Sequence, residues 1–370
     1  MRKLVTFQRV KEVNPIEGAD TIEAIKILGW TLVVKKEDGL KVGDWVCYFE
    51  VDSFLPLRPE FEWLRKSSFK TMADGSEGFR IRTVKLRGQP SYGLAITLAE
   101  FEKMKLATCF VTVGNKSSIY ISNETNEQYP LKEGVDITSL VGVRKYEPPI
   151  PACLDGISRG NTPGFMVTDE TRVQVLQPML DKYVGRRFYV TEKLDGASFS
   201  AFIDLDGELH ICSRSNDWLK ESNNSQWKWA ISNELENKLK SLPFRACIQG
   251  EVIGEGSQGN WYKMLGIDIR FFNVINLDTM EHLGYEKFVD TIDQLGFKTV
   301  PVLDDNFSMI NDIDGLLRMA VAKSSLNQKV QREGLVFRPY DTIMDGTFDV
   351  PHARVSFKAI NAEFSLAGGD

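Results

Sequence analysis

Along the first hundred positions the apolar residues come in short β-branched or aromatic runs. Residues 4–10, 22–27, 31–34 and 45–51 each read as a strand, with Gly18, Gly29, Gly39, Gly43 and Pro56 as punctuation. Short strands in such close succession predict a small barrel of the OB type. Residues 79–86 and 118–122 are further strand candidates. The stretch 147–164, EPPIPACLDGISRGNTPG, is rich in Pro and Gly and has no period. It predicts an accessory domain over 1–147, a linker over 148–164 and a second domain over 165–370.

The second domain mixes the two periods. Residues 171–180 have helical spacing, and Asp169 and Glu170 before them suit a helix N-terminus. Residues 188–193 and 197–204 read as a strand pair around a Gly-containing turn, and 268–276, 335–338 and 355–359 as strands. Residues 226–239, 287–295 and 313–325 read as helices. The fold class is therefore α+β: an N-terminal OB-type β-barrel, then a mixed α+β domain with central antiparallel sheets.

Composition narrows the chemistry. The chain has 370 residues, 42% hydrophobic and 26% charged, which is enough for two separate cores. No apolar run is long enough for a transmembrane helix, and the N-terminus lacks a signal-peptide core, so an intracellular, cytoplasmic protein with no membrane partner is expected. Cys47, Cys109, Cys153, Cys212 and Cys247 are scattered, and the histidines number only three, His210, His282 and His352. That argues against a structural zinc site or a disulfide framework, and leaves a hard metal on oxygen ligands. The net charge of −6 argues against a non-specific DNA coater, yet it permits a local basic groove.

The candidate chemistry centres on Lys193, at the end of a strand in TEKLDGAS, with Asp195 two residues on and Gly196 turning the chain. A Lys-x-Asp-Gly tetrapeptide alone is compatible with an exposed lysine before a turn. Glu251 follows in QGEVIG, Glu333 in REGLVFR and Lys358 in VSFKAIN. Each is a charge beside an apolar strand, where burial is expensive without a partner. A shared cleft explains all of them together, whereas any one alone would be a strand-end salt bridge.

Taken in order, EKLDGAS, the SRS of residues 213–215, QGEVIG, RFFNVIN, EGLVFR and SFKAIN resemble the motif ladder of covalent nucleotidyltransferases. These are the ATP-dependent RNA and DNA ligases and the mRNA capping enzymes, and the resemblance spans residues 169–361. It implies that Lys193 takes up a nucleoside monophosphate from ATP, with Asp195, Glu251 and Glu333 holding a divalent metal, Mg or Mn. It places Lys358, Arg214 and Arg172 (in TDETRVQ) near phosphate or ribose oxygens, Phe272 against the base, and Thr191 and Glu192 beside the base pocket. Phe271 is the core-facing neighbour. GEGSQGNWYK resembles a glycine-rich RNA-ligase stretch in which Gln258 and Asn260 are candidate polar contacts. One departure stands out: many members have lysine where this chain has Ser356.

Only a short tail follows Lys358, so the accessory domain is expected on the N-terminal side. The segment FRIRTVKLRGQPSYGL resembles the OB module of RNA ligases of the Deinococcus/Naegleria type. The resemblance implies a monomeric ATP-dependent RNA ligase that joins RNA 3′-hydroxyl and 5′-phosphate ends through a lysyl–AMP. Arg80 and Arg82 would share one face of a basic strand and Lys85 and Arg87 the other, for RNA-backbone contact. A solvated edge strand explains the same charges. A DNA ligase, a GTP-using capping enzyme and a catalytically inactive RNA-binding OB protein are the alternatives.

Overall fold

A computed structural model describes residues 3–72, 74–103, 110–112, 119–122, 128–166 and 168–369. The chain divides into two compact units, Met1–Pro149 and Ile150–Gly369.

In the first unit, strands Val5–Arg9, Trp45–Phe49 and Leu94–Thr97 form one antiparallel sheet with Trp45–Phe49 central. Glu12–Pro15, Ile22–Ile27 and Trp30–Lys35 form a meander, and Arg144–Lys145, Ser53–Pro56, Glu77–Arg80 and Phe69–Thr71 a third sheet. The alternation along Trp45–Phe49 explains how they share a core. Cys47 and Phe49 join Val5, Phe7, Leu55 and Phe79 in one cluster. Val46 and Tyr48, pointing the other way, join Ile25, Ile27 and Trp30 in a second. A strand buried on both faces has no polar period, which is how it reads in the sequence.

Residues 79–86 are not one strand. They divide into Glu77–Arg80 and Val84–Leu86, and the latter pairs with Gln89–Ser91 as a hairpin. Its two-residue turn is Arg87–Gly88, with φ of 48° and 83°. Positive φ at both positions is the type I′ geometry that matches strand twist. The run at 118–122 is a strand over Ile119–Ser122, with Ser118 outside the described residues. Cys109 also lies outside them.

The second unit contains two sheets. One runs, edge to edge, Thr171–Arg172, Phe357–Ile360, Gly334–Pro339, Arg187–Lys193 and Val302–Ser308. The other has Ala197–Ile203, Ala246–Gly254 and Ile267–Asn276 at its centre, all antiparallel. Each sheet buries its outer face under helices. Ser225–Ser232, Leu235–Lys240 and Tyr285–Gln294 cover Phe199, Ile248 and Phe271. Gln177–Tyr183 and Ile313–Ala320 cover Phe188, Leu335, Phe337 and Phe357. Burying one such side chain is worth about 1.5–3 kcal/mol, so both sheets are held firmly from outside. The polar residues of the same strands are left facing inward.

Four sequence expectations change. Residues 171–180 do not form one helix: Thr171–Arg172 pairs in parallel with Phe357 and Lys358, and the helix is Gln177–Tyr183. Pro178 sits in its first turn, where the missing N–H costs nothing, and it bars an earlier start. Residues 226–239 form two helices, broken at Glu234 with φ of 53°. The stretch read as a linker contains strand Ser158–Asn161, paired with Asn216–Trp218 on the edge of the large sheet. The helix expected to 325 ends at Ala320, whose carbonyl accepts from Arg332 Nε at 3.0 Å. Among the described residues, no helix is long and apolar enough to cross a membrane.

Candidate active site

Lys193 is the last residue of Arg187–Lys193, opposite Gly334. Its Nζ donates to Glu333 at 2.7 Å. Glu333 precedes the strand Gly334–Pro339, and a Cβ on Gly334 would lie 2.3 Å from the Ala359 carbonyl. Asn361 anchors the same corner: its backbone N–H donates to the Glu333 carbonyl at 2.8 Å and its side chain to the Arg332 carbonyl at 2.9 Å. Lys358 lies on the adjacent strand opposite Val336, and Arg172 pairs with it in register from the sheet edge.

Residues 194–196 carry the chain from this sheet to the other. A Cβ on Gly196 would lie 2.2 Å from the Val252 carbonyl and 2.9 Å from Glu251 Cγ, so no larger residue fits. Through this close approach Glu251 enters the electrostatic field of Lys193. Burial alone would lower the Lys193 pKa. The carboxylates of Glu333, Glu251 and Asp195 outweigh it and hold the ammonium above its ordinary range. Burial pushes Glu251 up to about 7, against the pull of Lys193 and with a further push from Glu333. Carboxylate oxygen donors of this kind suit a hard divalent cation.

Phe272 lies half-buried among Leu194, Ile253, Tyr262 and Val300. Phe271 faces the opposite way, fully buried and stacked on Phe297 at 5.3 Å. Behind Phe272 the sheets are tied together: Arg338 donates to the Phe272 carbonyl at 3.1 Å, and Arg354 to Asn273 Oδ1 at 3.0 Å. Arg338 also pairs with Glu170 at 2.7 Å. Asp169 pairs with Arg214 at 2.6 Å. Thr191 is buried on the Lys193 side of its strand. Glu192 points to the other side, where its carboxylate accepts the Ser325 N–H at 2.8 Å. The Asn260 side chain bonds both backbone groups of Met264 at 2.8 and 3.0 Å, a contact internal to its loop. Gln258 is exposed with φ of 41°.

An OB-fold domain model matches residues 4–98, and an RNA ligase model matches residues 186–360. Among solved structures, the chain is similar to Naegleria gruberi RNA ligase with PPi, at 33% identity and a TM-score of 0.80, over 98% of each chain. A mutant of that enzyme with ATP and Mn matches at 33% identity and a TM-score of 0.81, over 99% of each chain. Another mutant, with AMP and Mn, matches equally well. The chain belongs to this RNA ligase family, with an N-terminal OB-fold domain. Among curated proteins no relative matches.

The RNA ligase match runs from the Lys193 strand to the Lys358 strand, and so contains the whole ion cluster. The OB match contains the four basic residues picked out in the first unit, and the structure separates them. Arg80 is partly buried, paired with Asp52 at 2.8 Å and lying 4.6 Å from the Tyr146 ring. The strand that carries it pairs with Ser53–Pro56, Arg80 standing opposite Phe54. Arg82, Lys85 and Arg87 are exposed, the last two on the I′ hairpin. Sequence reasoning missed Asn361 and Tyr262, whose hydroxyl accepts the Asp195 N–H at 2.7 Å. Both stand inside quoted motifs, SFKAIN and GNWYK, but as uncharged residues they drew no attention.

Proposed function

We propose that the protein is an ATP-dependent RNA ligase that joins 3′-hydroxyl and 5′-phosphate RNA ends, with Lys193 as its nucleophile. The observation that carries this reading is the Lys193 ammonium bound to Glu333 at 2.7 Å within the field of Glu251 and Asp195. The neighbouring structures with ATP, AMP and Mn support nucleotide and metal here.

Lys193 has to lose its proton before it can attack the α-phosphorus of ATP. Pyrophosphate leaves and a P–N bond forms, giving lysyl–AMP. Held by Asp195, Glu251 and Glu333, a Mg or Mn ion would offset the phosphate charge and absorb the negative field that keeps Lys193 protonated. An oxygen of the RNA 5′-phosphate then displaces Lys193, which leaves with its electron pair and the adenylyl group passes to the RNA end. The 3′-hydroxyl attacks that 5′-phosphate, loses its proton, and AMP departs. These are phosphoryl transfers, so positioning and charge dominate. Phe272 stacks on the base, with Thr191 and the Glu192 backbone beside it. Arg172, Arg214 and Lys358 contact phosphate or ribose oxygens. Arg82, Lys85 and Arg87 contact the RNA backbone.

The test is incubation of the protein with α-labelled ATP or GTP and Mg or Mn, followed by sealing of nicked RNA, DNA and hybrid duplexes. Covalent label from ATP and sealing of RNA are expected. Label from GTP and not ATP would sink the reading, and so would sealing of DNA alone.

A further inference from the structure

The loop between Glu251 and Phe272 is built at unusual conformational expense. Between Gly254 and Gly266, positive φ occurs at Gly254, Gly256, Gln258, Gly259, Asn260, Lys263 and Gly266. Three of these are non-glycine residues in a region that side chains disfavour. The loop is nonetheless pinned throughout. Ser257 Oγ donates to the Val252 carbonyl at 2.9 Å, and Asn260 brackets Met264. Asn327 Nδ2 donates to the Tyr262 carbonyl at 3.2 Å. Such strain persists where the surroundings over-determine it, and among the side chains this loop places against the core is Tyr262. Tyr262 is 4% exposed, its ring packed with Leu194, Ile253 and Val300. Its Oη accepts the Asp195 N–H at 2.7 Å.

Residues 194–196 lie between the strands Arg187–Lys193 and Ala197–Ile203. Consecutive N–H groups are taken by two side chains: Asp195 by Tyr262, and Gly196 by the Glu251 carboxylate. We propose that Tyr262 is a positioning residue for nucleotidyl transfer, its hydroxyl fixing the turn that presents the Lys193 amine and the Asp195 carboxylate to the nucleotide. This rests on the reading of Lys193 as the nucleophile. Tyr262 touches no reacting atom. It acts through Asp195, because removing its oxygen removes the 2.7 Å bond that holds this N–H and with it the turn.

Tyr262→Phe keeps the ring and removes only the acceptor. In the full chain, amide deuterium exchange should speed up in the peptide containing Asp195 and stay unchanged in the outer helices. Single-turnover formation of lysyl–AMP should slow by roughly ten- to a hundredfold, the scale of a small misplacement at a reacting centre. Unchanged exchange at Asp195 would overturn the proposal, and so would a wild-type rate of transfer. If the wild-type chain forms no adduct, the nucleotidyl-transfer reading fails, while the exchange result still decides whether Tyr262 clamps the turn.

Discussion

The two units use charge in opposite ways. In the second, Lys193 is drawn against Glu333, Glu251 and Asp195, whose carboxylates hold its ammonium, and the buried Arg338 pairs with Glu170. In the first, Lys85 and Arg87 stand in water on a two-residue hairpin turn and its strand. Buried charges are strongly coupled and cannot be altered singly without cost. Exposed ones are screened and nearly additive, and their value is long-range attraction to a polyanion. Arg80 shows that sequence proximity does not decide which regime applies. It belongs to the same basic run, yet it is paired with Asp52.

This contrast can be broken by experiment, and the largest effect belongs to Lys193, the proposed nucleophile. Lys193→Ala should abolish covalent labelling by ATP while sparing part of the joining of a pre-adenylylated RNA end. A labelled adduct on that variant would mean the wrong lysine was chosen. Next comes Gly196→Ala, whose methyl would lie 2.2 Å from a carbonyl oxygen. Forcing it in should cost about 1–3 kcal/mol in a denaturant titration and slow adduct formation. Wild-type values for both would show that the turn and the Glu251 strand need not approach so closely.

Smaller effects sharpen the other side. Removing Lys85 and Arg87 should leave the melting temperature alone and reduce the slope of log affinity for single-stranded RNA against log salt. The expected reduction is about 0.7 per charge. Arg80→Ala should do the reverse, lowering the melting temperature with the slope intact. Equal slopes for all three arginine and lysine variants would erase the distinction drawn here. A pH-dependent effect concerns His282, which burial, then Arg354 and Arg338, push from 6.5 down to about 3. The unfolded chain binds a proton there below pH 6.5 that the folded chain refuses until about pH 3. Stability should therefore fall as pH drops through that window, by at most about 1.4 kcal/mol per pH unit from this group. His282→Gln should flatten the slope; an unchanged slope would show that His282 takes up protons in the folded state.

Much of the second unit was legible because several of its strands are short apolar runs with few charges. Lys193, Glu333 and Lys358 stood out since a charge beside such a run is costly without a partner. The helix boundaries were less legible. Apolar spacing over 171–180 continued across Pro178, and only pairing with Phe357 and Lys358 shows that the start of this segment is extended. The Tyr262 contact was invisible for a similar reason. It joins residues far apart in the chain, through a hydroxyl whose burial no local pattern reports.

By itself the sequence determined the order of the two units, the α+β class and the ordered set of charged residues, because periodicity and motif order are local properties of the chain. Tertiary structure decided which of those charges meet. It joined Lys193 to Glu333, gave Asp169 to Arg214 and Glu170 to Arg338, and took Arg80 out of the exposed basic surface. Those outcomes depend on which strands pair and how closely Gly196 lets the sheets approach, and distances between remote residues exist only once the chain has folded.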